Sequence, residues 1–174
     1  MATLTGNQLA ENIRQRIEEL KNVCRGLDES TASRAPEGRW SPKEVLSHLW
    51  GLDGSGPLPI FKRFLDEETP AIDLDPGNPF FSETRARMTA EQLLGEVEKT
   101  YARISQFAAG LSAEQLGRKA HMPMLKDSPF GEYPTLEAMI GALGEQHIQF
   151  HTERMREILQ GLGVQASEKV TGDQ

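Results

Sequence analysis

A single cysteine, Cys24, in 174 residues leaves no partner for an internal disulfide and no cysteine-based metal site. Positive charge is also scarce. Nineteen lysines and arginines stand against 26 aspartates and glutamates, a net charge of −7, and the basic residues do not cluster. Nucleic acid demands a positive stripe against its phosphates, so no nucleic-acid partner is expected. An anionic membrane surface is disfavoured on the same ground. Apolar runs extend for only a few residues, so no segment is expected to span a membrane. The opening stretch MATLTGNQLAENIRQ lacks the apolar core of a signal peptide, and a cytoplasmic location is expected. Internal repeats, low-complexity segments and linkers are missing too. Residues 1–163 are therefore expected to form one helical domain, with 164–174 a polar, frayed tail. What is present suits a globular domain: 37% hydrophobic and 26% charged residues, over a length that buries a sizeable core.

Local signals place the helices. Thr5 followed by Gln8 makes a capping box for a first helix from about Gly6 to Leu27. Its apolar stripe is Leu9, Ile13, Ile17, Leu20, Cys24 and Leu27. Ser41-Pro42-Lys43-Glu44 is the sharpest start signal in the chain. Serine is the N-cap, proline takes the first helical position, and Glu44 closes the box. Val45, His48, Leu49 and Leu52 share one face of this second helix, and a further helical piece is expected around Ile60 to Leu65. Residues 66–88 show no period and read as a long acidic loop. Thr89 with Gln92 opens a third helix whose stripe is Leu94, Val97, Tyr101, Ile104, Ala108 and Leu111. Ser112 with Gln115 opens a short turn, and a second loop, 118–134, carries His121. Thr135 caps a fourth helix, which Gly161 and Gly163 end. No strand pattern competes. The expected fold is all-α, a four-helix bundle with long loops after helix 2 and helix 3.

The fourth helix carries the chemistry. Its inward stripe is Leu136, Ile140, Leu143, His147, His151, Met155, Ile158 and Leu162, so two imidazoles sit one turn apart in an otherwise apolar row. Residues at i and i+4 have Cβ atoms about 5–6 Å apart, and both rings can reach one point. His48 faces inward on the second helix. Three neutral imidazoles leave a tetrahedral divalent ion one open position, which is a catalytic rather than a structural arrangement. The other reading is three core histidines, each satisfied by a carbonyl or carboxylate. A zinc-protease motif is excluded, because Ile148 and Gln149 follow His147 where HExxH needs a glutamate. Two further residues each carry two readings. Glu44 either closes the capping box alone or also hydrogen-bonds the outer nitrogen of His48 as a second-shell partner. Tyr101 is either a core tyrosine bonded to a carbonyl or a catalytic residue aiming its hydroxyl at the open position. The chain offers no nucleophile of its own.

WSPKEVLSHLWGLD, a long gap, and TLEAMIGALGEQHIQFHTERMREIL together resemble the DinB superfamily. The resemblance runs from the first helix to Gly161. It implies a four-helix bundle with His48, His147 and His151 as metal ligands, completed by water or substrate. It implies one divalent metal ion, zinc or nickel favoured, with iron and manganese compatible. Some members resemble bacillithiol transferases and mycothiol-dependent maleylpyruvate isomerases, and members are often homodimers. The expected function is that of a metal-dependent enzyme of the thiol S-transferase type, acting on a small-molecule thiol and a small electrophile. The alternatives are a metal-dependent hydrolase that activates water, and a non-catalytic bundle that binds metal or a small ligand.

Overall fold

The computed structural model describes residues 3–164. The tail expected over 164–174 lies, from residue 165 onward, outside the described residues. Nine α-helical segments occur among the described residues. They are α1 Gly6–Cys24, α2 Glu29–Ala32, α3 Pro42–Trp50, α4 Leu58–Asp66, α5 Glu83–Arg87, α6 Ala90–Ala109, α7 Ala113–Leu116, α8 Leu136–Ala142 and α9 Gln149–Gly161. A wider π-helical turn, Leu143–Ile148, joins α8 to α9. Among the described residues β-structure is limited to two isolated bridges, Ala71 with His121 and Lys119 with Thr135. The fold is all-α, as expected.

Four helical columns close into a ring. α1 packs on α6, α6 on α3, α3 on α9, and α9 back on α1. The apolar stripes meet inside it: Leu9, Ile13 and Leu20 from α1, Leu46 and Leu49 from α3, Val97 and Ile104 from α6, and Ile140, Met155 and Leu159 from the last column. Capping boxes fix where α1, α3, α6 and α7 begin, with both reciprocal bonds made in each. α1 starts hard against the end of α6. A Cβ on Gly6 would lie 2.2 Å from the Ala108 carbonyl oxygen, so only glycine fits there.

Three expectations are revised. Leu52 is 78% exposed, because α3 stops at Trp50 and Gly51 turns the chain at φ 86°. The 66–88 loop is not structureless to its end, since it contains α5, capped by Ser82. The buried ammonium of Lys43 ties this region down by bonding Glu29 and the Ala86 carbonyl. The fourth helix is not a uniform α-helix. The π turn delays the inward stripe by one position, so Ile148 is fully buried where the 3.6-residue period places His147. Core positions then continue through His151, Thr152, Met155 and Ile158. His147 is thereby displaced from the core face and half-buried, while His151 stays buried.

Candidate metal centre

His48 lies in the second turn of α3, behind a start that its own sequence fixes. The Ser41 hydroxyl accepts the Glu44 N–H at 3.2 Å, and the Glu44 carboxylate accepts the Ser41 N–H at 3.2 Å. Because α3 packs on α9, His48 faces the last column. There it meets His147 at the end of the π turn and His151 in the first turn of α9. Ring centroids are 5.3 Å apart for His48 and His147, 4.6 Å for His48 and His151, and 4.7 Å for His147 and His151. One nitrogen from each ring lies within 4.8 Å of the others.

Hydrogen bonding sets the tautomer of His48. Its Nδ1 lies 2.7 Å from the Asn78 carbonyl oxygen, which can only accept, so Nδ1 carries the proton. That leaves Nε2 with its lone pair free, on a ring packed against the other two imidazoles. Among the described residues, His48 Nε2 is one of two buried side-chain polar atoms without a hydrogen-bond partner, the other being Ser105 Oγ. An unpartnered buried acceptor is costly, and a cation at this point satisfies it. Nitrogens bound to a tetrahedral ion at 2.0–2.1 Å lie roughly 3.4 Å apart, so small side-chain rotations suffice to close the triad. The residues therefore fit a divalent ion, with His48, His147 and His151 as the donors.

Electrostatics agree with that donor set. Burial pushes His147 down to about 4 and His151 down to about 3, and the neighbouring imidazoles push the same way. Arg154 adds to the effect on His151. Burial also lowers His48, against the bond to Asn78, which raises it. All three rings are therefore neutral near pH 7, the state in which imidazole binds metal. Aromatic rings wall the triad. Trp40 stacks on His151 with centroids 6.2 Å apart and planes within 5°, and Phe80 stacks on His48 at 6.1 Å and 2°. A cavity of about 280 Å³ adjoins His151 and is lined in part by Trp40, Phe150, Arg39 and Arg154.

The loop that supplies Asn78 is anchored to α3. Asn78 Oδ1 accepts the Phe80 N–H at 2.8 Å, and the Ser47 hydroxyl donates to the Phe80 carbonyl at 3.1 Å. Arg85, buried on α5, donates to the Ser47 carbonyl at 2.9 Å and to carbonyls at the end of α3, while its guanidinium lies 4.3 Å over the Trp50 ring. The sequence reading missed Asn78, Phe80 and Arg85. A carbonyl ligand leaves no mark in a side-chain pattern, and α5 is too short to show a period. Trp40 was visible only as the residue before Ser41.

Of the two residues that carry two readings, Glu44 takes the capping role and Tyr101 the carbonyl-bonded one. Glu44 is occupied by its capping box, and the outer nitrogen of His48 belongs to the Asn78 carbonyl instead. Tyr101 is 1% exposed and donates its hydroxyl to the Leu49 carbonyl at 3.0 Å. It also lines a separate groove with Ile17 and Lys21 of α1, one that none of the three histidines lines. His121 pairs with Glu132 at 2.8 Å and stacks on Tyr133. Cys24 is buried, and that burial pushes its thiol up to about 12.

The family model of the DinB superfamily matches residues 12–155, a span that holds the three clustered histidines. The chain belongs to the DinB superfamily. No curated protein matches it. Among solved structures it is similar to YfiT from Bacillus subtilis, described as a probable metal-dependent hydrolase with an unusual four-helix bundle topology. The two share 22% identity over 91% of this chain and 88% of that one, with a TM-score of 0.73, a likeness that speaks for the fold. Among the described residues no helix is long and apolar enough to cross a membrane.

Proposed function

We propose that this DinB-superfamily chain is a metal-dependent enzyme of the thiol S-transferase type, with His48, His147 and His151 holding one divalent cation. The observation that carries the reading is the unpartnered, buried His48 Nε2 on a ring clustered with two further neutral imidazoles beside a cavity. Imidazole donors suit zinc, nickel, copper and iron, and zinc or nickel is the ion proposed here. When bound, the cation supplies Lewis acidity and lowers the pKa of a nucleophile in the adjoining cavity. Three neutral ligands leave the charge of that cation uncompensated.

The chain's own residues do the rest. The Asn78 carbonyl holds His48 in the Nδ1–H tautomer. Trp40 and Phe80 fix ring planes and exclude water from one side. The nucleophile has to come from solution, because Cys24 is buried and its thiol is raised to about 12. A low-molecular-weight thiol fills that role, with a small electrophile as acceptor. A homodimer is expected from the family resemblance, and sedimentation of the metal-loaded protein measures it.

A second reading is hydrolysis, in which water takes the place of the thiol. Its support is the description of YfiT as a metal-dependent hydrolase. One experiment separates the two. Metal-loaded and metal-free protein are assayed with a generic electrophile and a panel of small thiols, bacillithiol and glutathione included, and with ester and amide substrates without thiol. S-transfer that needs both thiol and metal supports the first reading. Metal-dependent turnover without thiol supports the second, and equal rates with and without metal contradict both.

A further inference from the structure

The cavity beside the histidines has an unusual charge for so acidic a chain. Its charged walls are the guanidiniums of Arg39 and Arg154, beside the neutral His151, and among the described residues no carboxylate lines it. Arg154 stands three residues past His151 on α9, so the two share a face of the helix. Arg39 immediately precedes Trp40, the ring that stacks on His151. Both guanidiniums reach the same carboxylate oxygen of Glu157, Arg39 at 2.7 Å and Arg154 at 3.7 Å. Two cations sharing one anion leave one positive charge over. Their side chains are 39% and 46% exposed, and each guanidinium has five N–H donors, so donors remain for a ligand. Flat apolar surface completes the wall: Trp40, and Phe150 with Arg154 lying 5.1 Å over its ring.

We propose that Arg39 and Arg154 bind a carboxylate of the substrate, which is a small monoanionic acid with a flat aromatic or unsaturated body. The proposal rests on the reading of this cavity as the substrate pocket of the proposed enzyme. A single carboxylate matches the one positive charge that Glu157 leaves on the two guanidiniums, counted apart from the metal's own charge, and the planar guanidinium fork matches carboxylate geometry. The flat body packs on Trp40 and Phe150. Glu157 competes with the substrate for the two guanidiniums and holds them in place in its absence.

Ligand-observed NMR titration of the full chain with benzoate and with its neutral isostere benzamide tests this, on zinc-loaded and on metal-free protein. Zinc-loaded wild type is expected to bind benzoate at least about tenfold more tightly than benzamide, the scale of one charge-assisted contact. Arg154→Gln and Arg39→Gln should each lower benzoate affinity severalfold and leave benzamide and the zinc stoichiometry unchanged. Glu157→Gln should tighten benzoate binding, an outcome that a merely structural ion pair does not produce. Equal affinity for the two probes overturns the proposal. So does a benzoate preference that survives both arginine substitutions but vanishes with the metal, since the carboxylate would then sit on the metal. A preference in metal-free protein that disappears with the arginines supports the proposal even if no metal binds, so a failure of the metal reading remains separately visible.

Discussion

The His48 Nδ1–H donates to the Asn78 carbonyl at 2.7 Å, and this one bond leaves Nε2 as the ring nitrogen with a free lone pair. It fixes the tautomer, leaves Nε2 unprotonated in the cluster with His147 and His151, and joins α3 to a loop thirty residues further along. Without it the ring could reverse its nitrogens and present an N–H to its neighbours.

If the triad acts as a unit, loss of either side of the ring of helices is equally damaging. His48→Ala is expected to weaken metal binding about as severely as His147→Ala. Losing an outer partner typically costs about 10–100-fold, and losing a ligand should cost at least that. Competition with a chromophoric chelator measures both. Full affinity in His48→Ala would remove α3 from the site.

Tyr101 and Glu44 serve as controls, with metal affinity expected to be unchanged in both. Tyr101→Phe removes the bond to the Leu49 carbonyl and should cost about 1 kcal/mol of stability, with metal affinity and turnover unchanged. Glu44→Gln keeps an acceptor for the Ser41 N–H and should likewise leave metal affinity unchanged. A large drop in turnover for Tyr101→Phe in a stable protein would restore it to the mechanism.

The capping boxes of α1, α3, α6 and α7 are legible in the sequence because each is made within four residues. The inward histidines are legible because period and polarity conflict at His147 and His151. The π turn is not legible, since a period of 3.6 is assumed in reading the stripe, and Ile148 is therefore misplaced. Asn78 and Arg85 are not legible because their roles come from contacts that the chain makes only after folding. Tyr101 shows the limit of a stripe: it gives burial, and leaves open which of two neighbouring helices the hydroxyl meets.

Acid should weaken the metal-free fold in a defined window. Unfolded histidines titrate near 6.5, whereas burial holds His147 near 4, His151 near 3 and His48 below its ordinary value. Between those values the unfolded chain binds more protons, so stability is complete above about 6.5 and falls as pH drops toward 4. The slope is about 1.4 kcal/mol per pH unit for each histidine held neutral. Below the folded-state values the loss levels off. Urea unfolding across pH 7 to 4 measures the slope, and His147→Asn should make it shallower. An unchanged slope would contradict the burial of His147 as a neutral ring.

Cys24→Ser is expected to keep full activity. The thiol is buried and its pKa is raised to about 12, so it is no nucleophile. A hydroxyl in that apolar site should cost about 1–3 kcal/mol of stability. Thermal melts and the thiol-dependent assay, run together, read the two effects separately. Loss of turnover in a folded Cys24→Ser protein would place the nucleophile in the chain.

The most direct measurement is metal content. The protein is stripped with chelator, refilled with excess zinc or nickel, dialysed and analysed for metal against protein concentration, with the His48→Ala/His147→Ala/His151→Ala triple variant alongside. The account predicts one ion per chain in the wild type and none in the variant. Metal-free wild type after refilling, or equal metal in the wild type and the variant, would contradict it.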